Sequence, residues 1–147
     1  MDQQARDLDT LARTLWGEAR GEGRQGMIAV AWVILNRARK PCWWSRNKGD
    51  GIEDDTIEAV CRDPWQFSCW NVSDPNRAKL LAVDTADPAF RLALAVAEDA
   101  LAGRLPPDPT SGACHYKVSS LPWPKDWGEP RDADFVHGHH AFYRGIA

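Results

Sequence analysis

A chain of 147 residues is long enough to bury a sizeable core and reads as one domain over residues 1–147. Its formal net charge of −3 supplies no basic field, so nucleic acid is not an implied partner. The longest apolar run, Met27 to Leu35, falls far short of the ~20 residues a membrane span needs, and the polar stretch Met1 to Asp7 leads into no apolar segment that would direct export.

The first helix is predicted from Asp7 or Asp9 to Arg20, because Leu8, Leu11, Ala12, Leu15 and Ala19 recur at helical spacing. It ends in Trp16-Gly17-Glu18-Ala19-Arg20-Gly21-Glu22, which sets two carboxylates four residues apart. Residues i and i+4 share a helix face. At about 100° per residue Glu18 lies at the edge of the apolar stripe, and Glu22 falls inside it if the helix runs that far. A carboxylate beside the buried face must be ion-paired, protonated or open to a cleft. Gly21 and Gly23 suit a helix C-terminus, whose dipole disfavours an anion and raises a carboxyl pKa. A general acid working near neutral pH needs that property. Glu18 is therefore the first candidate for acid–base chemistry and Glu22 the second. The alternative is two solvated charges paired with Arg20 or Arg24.

A second helix, Gln25 to Arg39, is apolar nearly all round and reads as a central helix stopped by Pro41. Lys40 to Gly51 reads as a loop. Thr56 to Cys61 forms a short helix with an Asp or Thr cap, and Asp74 to Leu81 another. Asp87-Pro88 starts a helix that Gly103 ends. Beyond the rigid Leu105–Pro109 connector, Gly112 to Val118 reads as a strand and Leu121 to Arg131 as a Pro/Trp loop. Phe135 to Tyr143 reads as a last extended segment. The fold class expected is α+β, mainly helical with a small β element.

Eight tryptophans stand out, and a Trp ring stacks well on apolar sugar faces. Trp32 belongs to the core, whereas Trp43, Trp44, Trp65, Trp70, Trp123 and Trp127 lie in loop regions and are candidates for a ligand surface. Of Cys42, Cys61, Cys69 and Cys114, the pair Cys61 and Cys69 forms the most plausible bridge, with reduced thiols as the alternative. None of the cysteine spacings matches a zinc site.

Glu18 to Glu22, Gly26, Ala29-Val30-Ala31 and Val33 to Arg37 resemble the SleB/CwlJ-type cell wall hydrolases, the catalytic domains of spore cortex-lytic enzymes and related bacterial and phage proteins. The same order continues through Val60, Gln66-Phe67-Ser68, Ala100 to Gly103, Asp108-Pro109-Thr110, Gly112-Ala113, His115-Tyr116, Gly138-His139 and Phe142-Tyr143. The resemblance implies a lysozyme or lytic-transglycosylase-like helical lobe, with the small β element flanking a substrate groove. It implies cleavage of peptidoglycan between N-acetylmuramic acid and N-acetylglucosamine, with Glu18 as catalytic acid. It sets Gln66 near the cleft and Tyr116 and Tyr143 at aromatic positions of the β part. Ser68 and Trp70, in and after the Gln-Phe-Ser motif, and His139 of the Gly-His pair complete the expected substrate-binding set. No cofactor or metal is expected, and the partner is the glycan strand, bound by a monomer. Without a leader or separate wall-binding segment, the chain fits a phage endolysin made in the host cytoplasm. A separate pore-forming protein would then release it to the wall. Met27, where the family often has Gln, and the Cys42-Trp43-Trp44 and Cys69-Trp70 segments are departures from the pattern.

Glycoside hydrolysis usually takes two carboxylates, whereas a lytic transglycosylase needs one. The single-glutamate scheme through Glu18 is the preferred expectation, with a muramidase using Glu22 as the second carboxylate as its rival. A metalloenzyme built on His137, His139, His140 and His115 is a third reading. A strand through 135–143 would split those histidines between two faces, and no HExxH accompanies them. A non-catalytic wall-binding module is a fourth.

Overall fold

The computed structural model describes residues 2–39, 56–63 and 67–146. Gln66, Trp43, Trp44, Trp65 and Cys42 lie outside the described residues. Helix α1 (Gln3–Ala19) starts one turn earlier than the apolar stripe suggests, because Asp2 caps it by accepting from Ala5 N at 2.8 Å. Its polar first turn is tied to the next layer by the Arg6–Glu58 ion pair. Helix α2 (Gly23–Arg39) buries Met27 to Ala31 and Val33 to Leu35, as an all-round apolar pattern requires. Helix α3 (Ile57–Arg62) is capped by Thr56, and α5 (Pro88–Leu101) by Asp87 with proline in its first turn. Helix α4 (Arg77–Ala82) begins later than expected, because residues 71–76 form turns instead.

Helices α1, α2 and α5 pack on one another around Leu11, Leu15, Val30, Ile34, Val96 and Ala97. Arg13 fixes α4 to this core by donating to the carbonyls of Leu80 (2.8 Å) and Val83 (2.9 Å), which terminate that helix.

The β part is a three-stranded antiparallel sheet of β1 (His115–Val118), β2 (Phe135–His137) and β3 (His140–Tyr143), in the order β1-β3-β2. Two expectations change here. Residues 112–114 are not strand. Asp108 gathers the segment before β1 by accepting from Asn36 (3.0 Å), Thr110 N (2.8 Å), the Thr110 hydroxyl (2.7 Å) and Gly112 N (2.9 Å). The segment 135–143 is a hairpin turning at Gly138-His139, so His137 and His140 are cross-strand partners. Strand alternation through His139 therefore does not apply. No helix among the described residues is long and apolar enough to cross a membrane.

Candidate active site

The two faces of the sheet receive different neighbours. Tyr116 and Phe142, directly paired across β1 and β3, pack with Phe67 and His140 on the side facing the helices. Ala141 and Tyr143 point to the other side, where Tyr143 meets Trp123 (5.0 Å) and Trp127 (5.6 Å). Trp123 and Trp127, both half-buried, thus pack on the outer face in a small second cluster.

From the helical side, Tyr116 donates its hydroxyl to Glu18 Oε1 at 2.6 Å. Glu18, in the last turn of α1, forms part of the wall of a cavity of about 210 Å³. Trp16, Arg20, Ser68, Cys69, Asp74 and Asn76 line the same space. A larger hollow of about 360 Å³ lies beside Asp2, Leu8 and Glu98. Leu8 is ten residues before Glu18, roughly 15 Å along the helix, and the larger hollow contains none of the groups around Glu18.

The close approach at Gly17 explains how the cavity is built. A Cβ there would stand 2.8 Å from Cys69 Cβ and 2.9 Å from its sulfur. Glycine within a helix costs about 1 kcal/mol relative to alanine. Here it lets the 3-10 turn Ser68–Trp70 close on α1 and brings Cys69 to Glu18. Burial pushes the Glu18 carboxyl above its ordinary value. Hydrogen bonds from Tyr116 and Cys69 oppose the rise, and the Asp74 charge adds to it. Desolvation is thus the leading cause, where the sequence suggested the helix dipole. Burial and the neighbouring Glu18 charge push the Tyr116 phenol up as well, which keeps it a donor. Behind it His140 stacks edge-on at 5.0 Å, and burial lowers the pKa of its ring.

Glu22 is held elsewhere. Its carboxylate accepts from His139 N at 3.3 and 3.4 Å, and its carbonyl lies 3.1 Å from His137 Nε2. Gly138 has φ +55°, and a Cβ there would overlap the Glu22 carboxylate. A Cβ on Gly26 would likewise overlap the Glu22 Cβ. Glu22 is therefore clamped between the start of α2 and the hairpin turn.

The other expected binding residues separate in space. Ser68 reaches the cavity, and Tyr116 reaches Glu18 itself. Trp70 packs against the core, donating its indole N–H to Thr14 Oγ1 at 2.8 Å beneath the Arg62 guanidinium. His139 meets Glu22 through its backbone, and Tyr143 lies on the far face of the sheet. Cys61 and Cys69 are free thiols, so the expected bridge is not made. Burial pushes Cys61 up to about 12, leaving a neutral packing group. Among the described residues no three His, Cys, Asp or Glu side chains are placed to hold a metal ion.

Sequence reasoning missed Trp16, Arg20, Cys69, Asp74 and Asn76 as cavity residues. The Asp74-Pro75-Asn76 run is a turn signal, which read as a helix start gives no hint of what it faces.

The chain matches the cell wall hydrolase family over residues 21–143 and belongs to that family, within its SleB/CwlJ type. It is 34% identical over 110 residues to the spore cortex-lytic enzyme of Halalkalibacterium halodurans, covering 75% of this chain and 26% of the relative. The spore cortex-lytic enzyme of Bacillus subtilis is 30% identical over 128 residues, covering 85% and 34%. The chain thus spans about a quarter to a third of the length of these relatives. Its fold is similar to the catalytic domain of the germination-specific lytic transglycosylase SleB from Bacillus anthracis. That match has a TM-score of 0.65 and 25% identity, and covers 98% of this chain and 97% of the other.

Proposed function

We propose that this chain cleaves peptidoglycan glycan strands between N-acetylmuramic acid and N-acetylglucosamine as a lytic transglycosylase, with Glu18 as acid and then base. The observation that carries the reading is the burial-raised Glu18 carboxyl on a cavity wall, held at 2.6 Å by Tyr116. A carboxyl kept partly in its acid form by its surroundings can give a proton to a leaving oxygen. Similarity to a catalytic domain described as a lytic transglycosylase supports the same reaction class.

In the first step the Glu18 proton moves to the glycosidic oxygen, and the C1–O bond breaks with its electron pair going to that oxygen. The muramic acid C6 hydroxyl then closes on C1 and gives its proton to the Glu18 carboxylate. The result is a 1,6-anhydro ring with no water consumed and Glu18 restored to the acid form. Tyr116 acts through Glu18, setting the carboxyl direction. Ser68, on the cavity wall, contacts the glycan. Glu22, occupied by the hairpin turn, takes no part in the proton transfers.

The test is mass spectrometry of fragments from a purified sacculus digest run in isotopically labelled water. Anhydromuramic ends, lighter by one water and free of solvent oxygen, are expected. Reducing ends carrying labelled oxygen would replace the reading with hydrolysis.

A further inference from the structure

Asp74 stands on the wall of the Glu18 cavity, and the reaction scheme above gives it nothing to do. It belongs to neither helix nor strand. The turn that carries it is fixed by its own backbone, with Asp74 N donating to Asn71 O at 3.0 Å and Arg77 N to Asp74 O at 3.1 Å. Arg77 Nε also donates to Trp70 O at 3.1 Å, which joins the turn to the Ser68–Trp70 segment. One carboxylate oxygen, Oδ1, accepts from Asn76 N at 2.8 Å. The other has no protein donor among the described residues. Asp74 is thus an acidic group on a braced turn at the cavity wall, with one carboxylate oxygen not used by a protein donor among the described residues.

The charged and titratable groups around Glu18 come from several elements. Tyr116 comes from β1, Cys69 from the 3-10 turn, Cys61 from α3 and Arg20 from the end of α1. Asp74 is the carboxylate among them, and its charge acts on Glu18. Glu22 is taken up by the hairpin, and Asp108 is saturated by Asn36, Thr110 and Gly112. A second unpaired polar group lies in the wall of the same cavity. Trp16 lines it and is 6% exposed, yet its indole N–H is buried with no acceptor among the described residues. A buried donor left unpaired costs roughly 1–3 kcal/mol.

We propose that Asp74 is a second acidic group of this active site, which faces the sugar in the cavity and stabilises the positive charge that develops at C1 as the glycosidic bond breaks. The proposal rests on Glu18 being the proton donor. Cleavage of a glycosidic bond passes through an oxocarbenium-like state, and a fixed anion in a partly desolvated cavity stabilises that state more than the neutral ground state. Asp74 forms no bond and moves no proton. Glu18 remains the acid, and the C6 hydroxyl remains the nucleophile. The same charge adds a smaller push to the burial that raises the Glu18 carboxyl.

The experiment compares the intact chain with Asp74→Asn and Glu18→Gln on purified sacculi, measuring lysis against pH, sacculus binding and melting temperature. Asparagine keeps the oxygen that accepts from Asn76 N and removes the charge. Asp74→Asn is expected to lower the maximal lysis rate by ~10²-fold with binding and melting temperature nearly unchanged. Its alkaline limb should also move to lower pH. Without the Asp74 charge Glu18 loses its proton at lower pH, and activity is lost as pH rises through that point. A turn-capping role alone would leave the limb in place.

A folded Asp74→Asn protein that lyses within about twofold of normal, with an unmoved limb, overturns the proposal while an inactive Glu18→Gln leaves the acid assignment standing. An active Glu18→Gln removes the assignment on which it rests. If Asp74→Asn fails to fold, Asp74→Ser, which also accepts from a backbone N–H two residues on, takes its place with the same readouts. Failure of both to fold would identify Asp74 as a cap of the turn and end the proposal.

Discussion

Glu18 and Glu22 sit four residues apart in sequence and in opposite physical situations. Glu18 ends α1 at a cavity wall, desolvated and met by a tyrosine hydroxyl from β1. Glu22 sits just before α2, folded over Gly26 and under Gly138, and spends its carboxylate on the backbone of a hairpin turn. The first is buried, with hydrogen bonds from Tyr116 and Cys69 only partly offsetting the desolvation that raises its carboxyl. The second joins the start of α2 to the hairpin turn of the sheet. Spacing does not distinguish the two carboxylates; their surroundings do.

The largest expected effect tests that contrast directly. Glu18→Gln keeps the shape and removes the proton, so lysis of sacculi should fall by ~10² or more. Glu22→Gln should cost less than about tenfold in lysis, and the reverse ranking would exchange the two roles. Next in size is the seat of Glu22. Gly138→Ala puts a methyl against the carboxylate at a positive φ, and thermal or denaturant unfolding should show a loss of about 2–4 kcal/mol. An unchanged midpoint would mean that the clamp does not hold the hairpin.

Tyr116→Phe removes the 2.6 Å donor to Glu18 without removing the ring. That donor favours the ionised carboxylate, so its loss raises the Glu18 pKa further. The alkaline limb of lysis should move to higher pH, opposite in direction to Asp74→Asn, with a rate loss of roughly tenfold from poorer orientation. A shift to lower pH would refute the hydrogen bond.

The smallest effect concerns stability. The native state holds the Glu18 proton more tightly than the unfolded chain, so stability falls as pH rises from the ordinary carboxyl value of 4.5 through the raised native one. Glu18→Gln should therefore melt higher than the parent by a few degrees at neutral pH and show little gain at pH 4. Equal gains at both pH values would rule out desolvation of the carboxylate as the cause.

Much of the helical lobe was legible in the chain. The stripe from Leu8 to Ala19, the apolar run from Met27 to Leu35, the Thr56 cap and the Asp87-Pro88 start each encode structure through neighbours within four residues. Glu18 stood out for the same local reason, at the edge of the apolar stripe. The β part was legible less fully. The turn at Gly138-His139 was hidden in a segment of high strand propensity, and Trp123 and Trp127 gave no sign that they pack on Tyr143.

By itself the sequence determined which segments become helices, which glutamate lies beside the buried face and which family the motifs follow in order. Tertiary structure alone decided the surroundings of that glutamate. Tyr116 meets Glu18 across 98 positions of chain, and His139 meets Glu22 across 117. Asp74 reaches the same cavity through a turn with no periodic pattern. Local periodicity fixes the direction of a side chain relative to its own helix. The dielectric, donors and charges it meets are set by segments brought alongside it when the core closes, and no short-range pattern records their arrival.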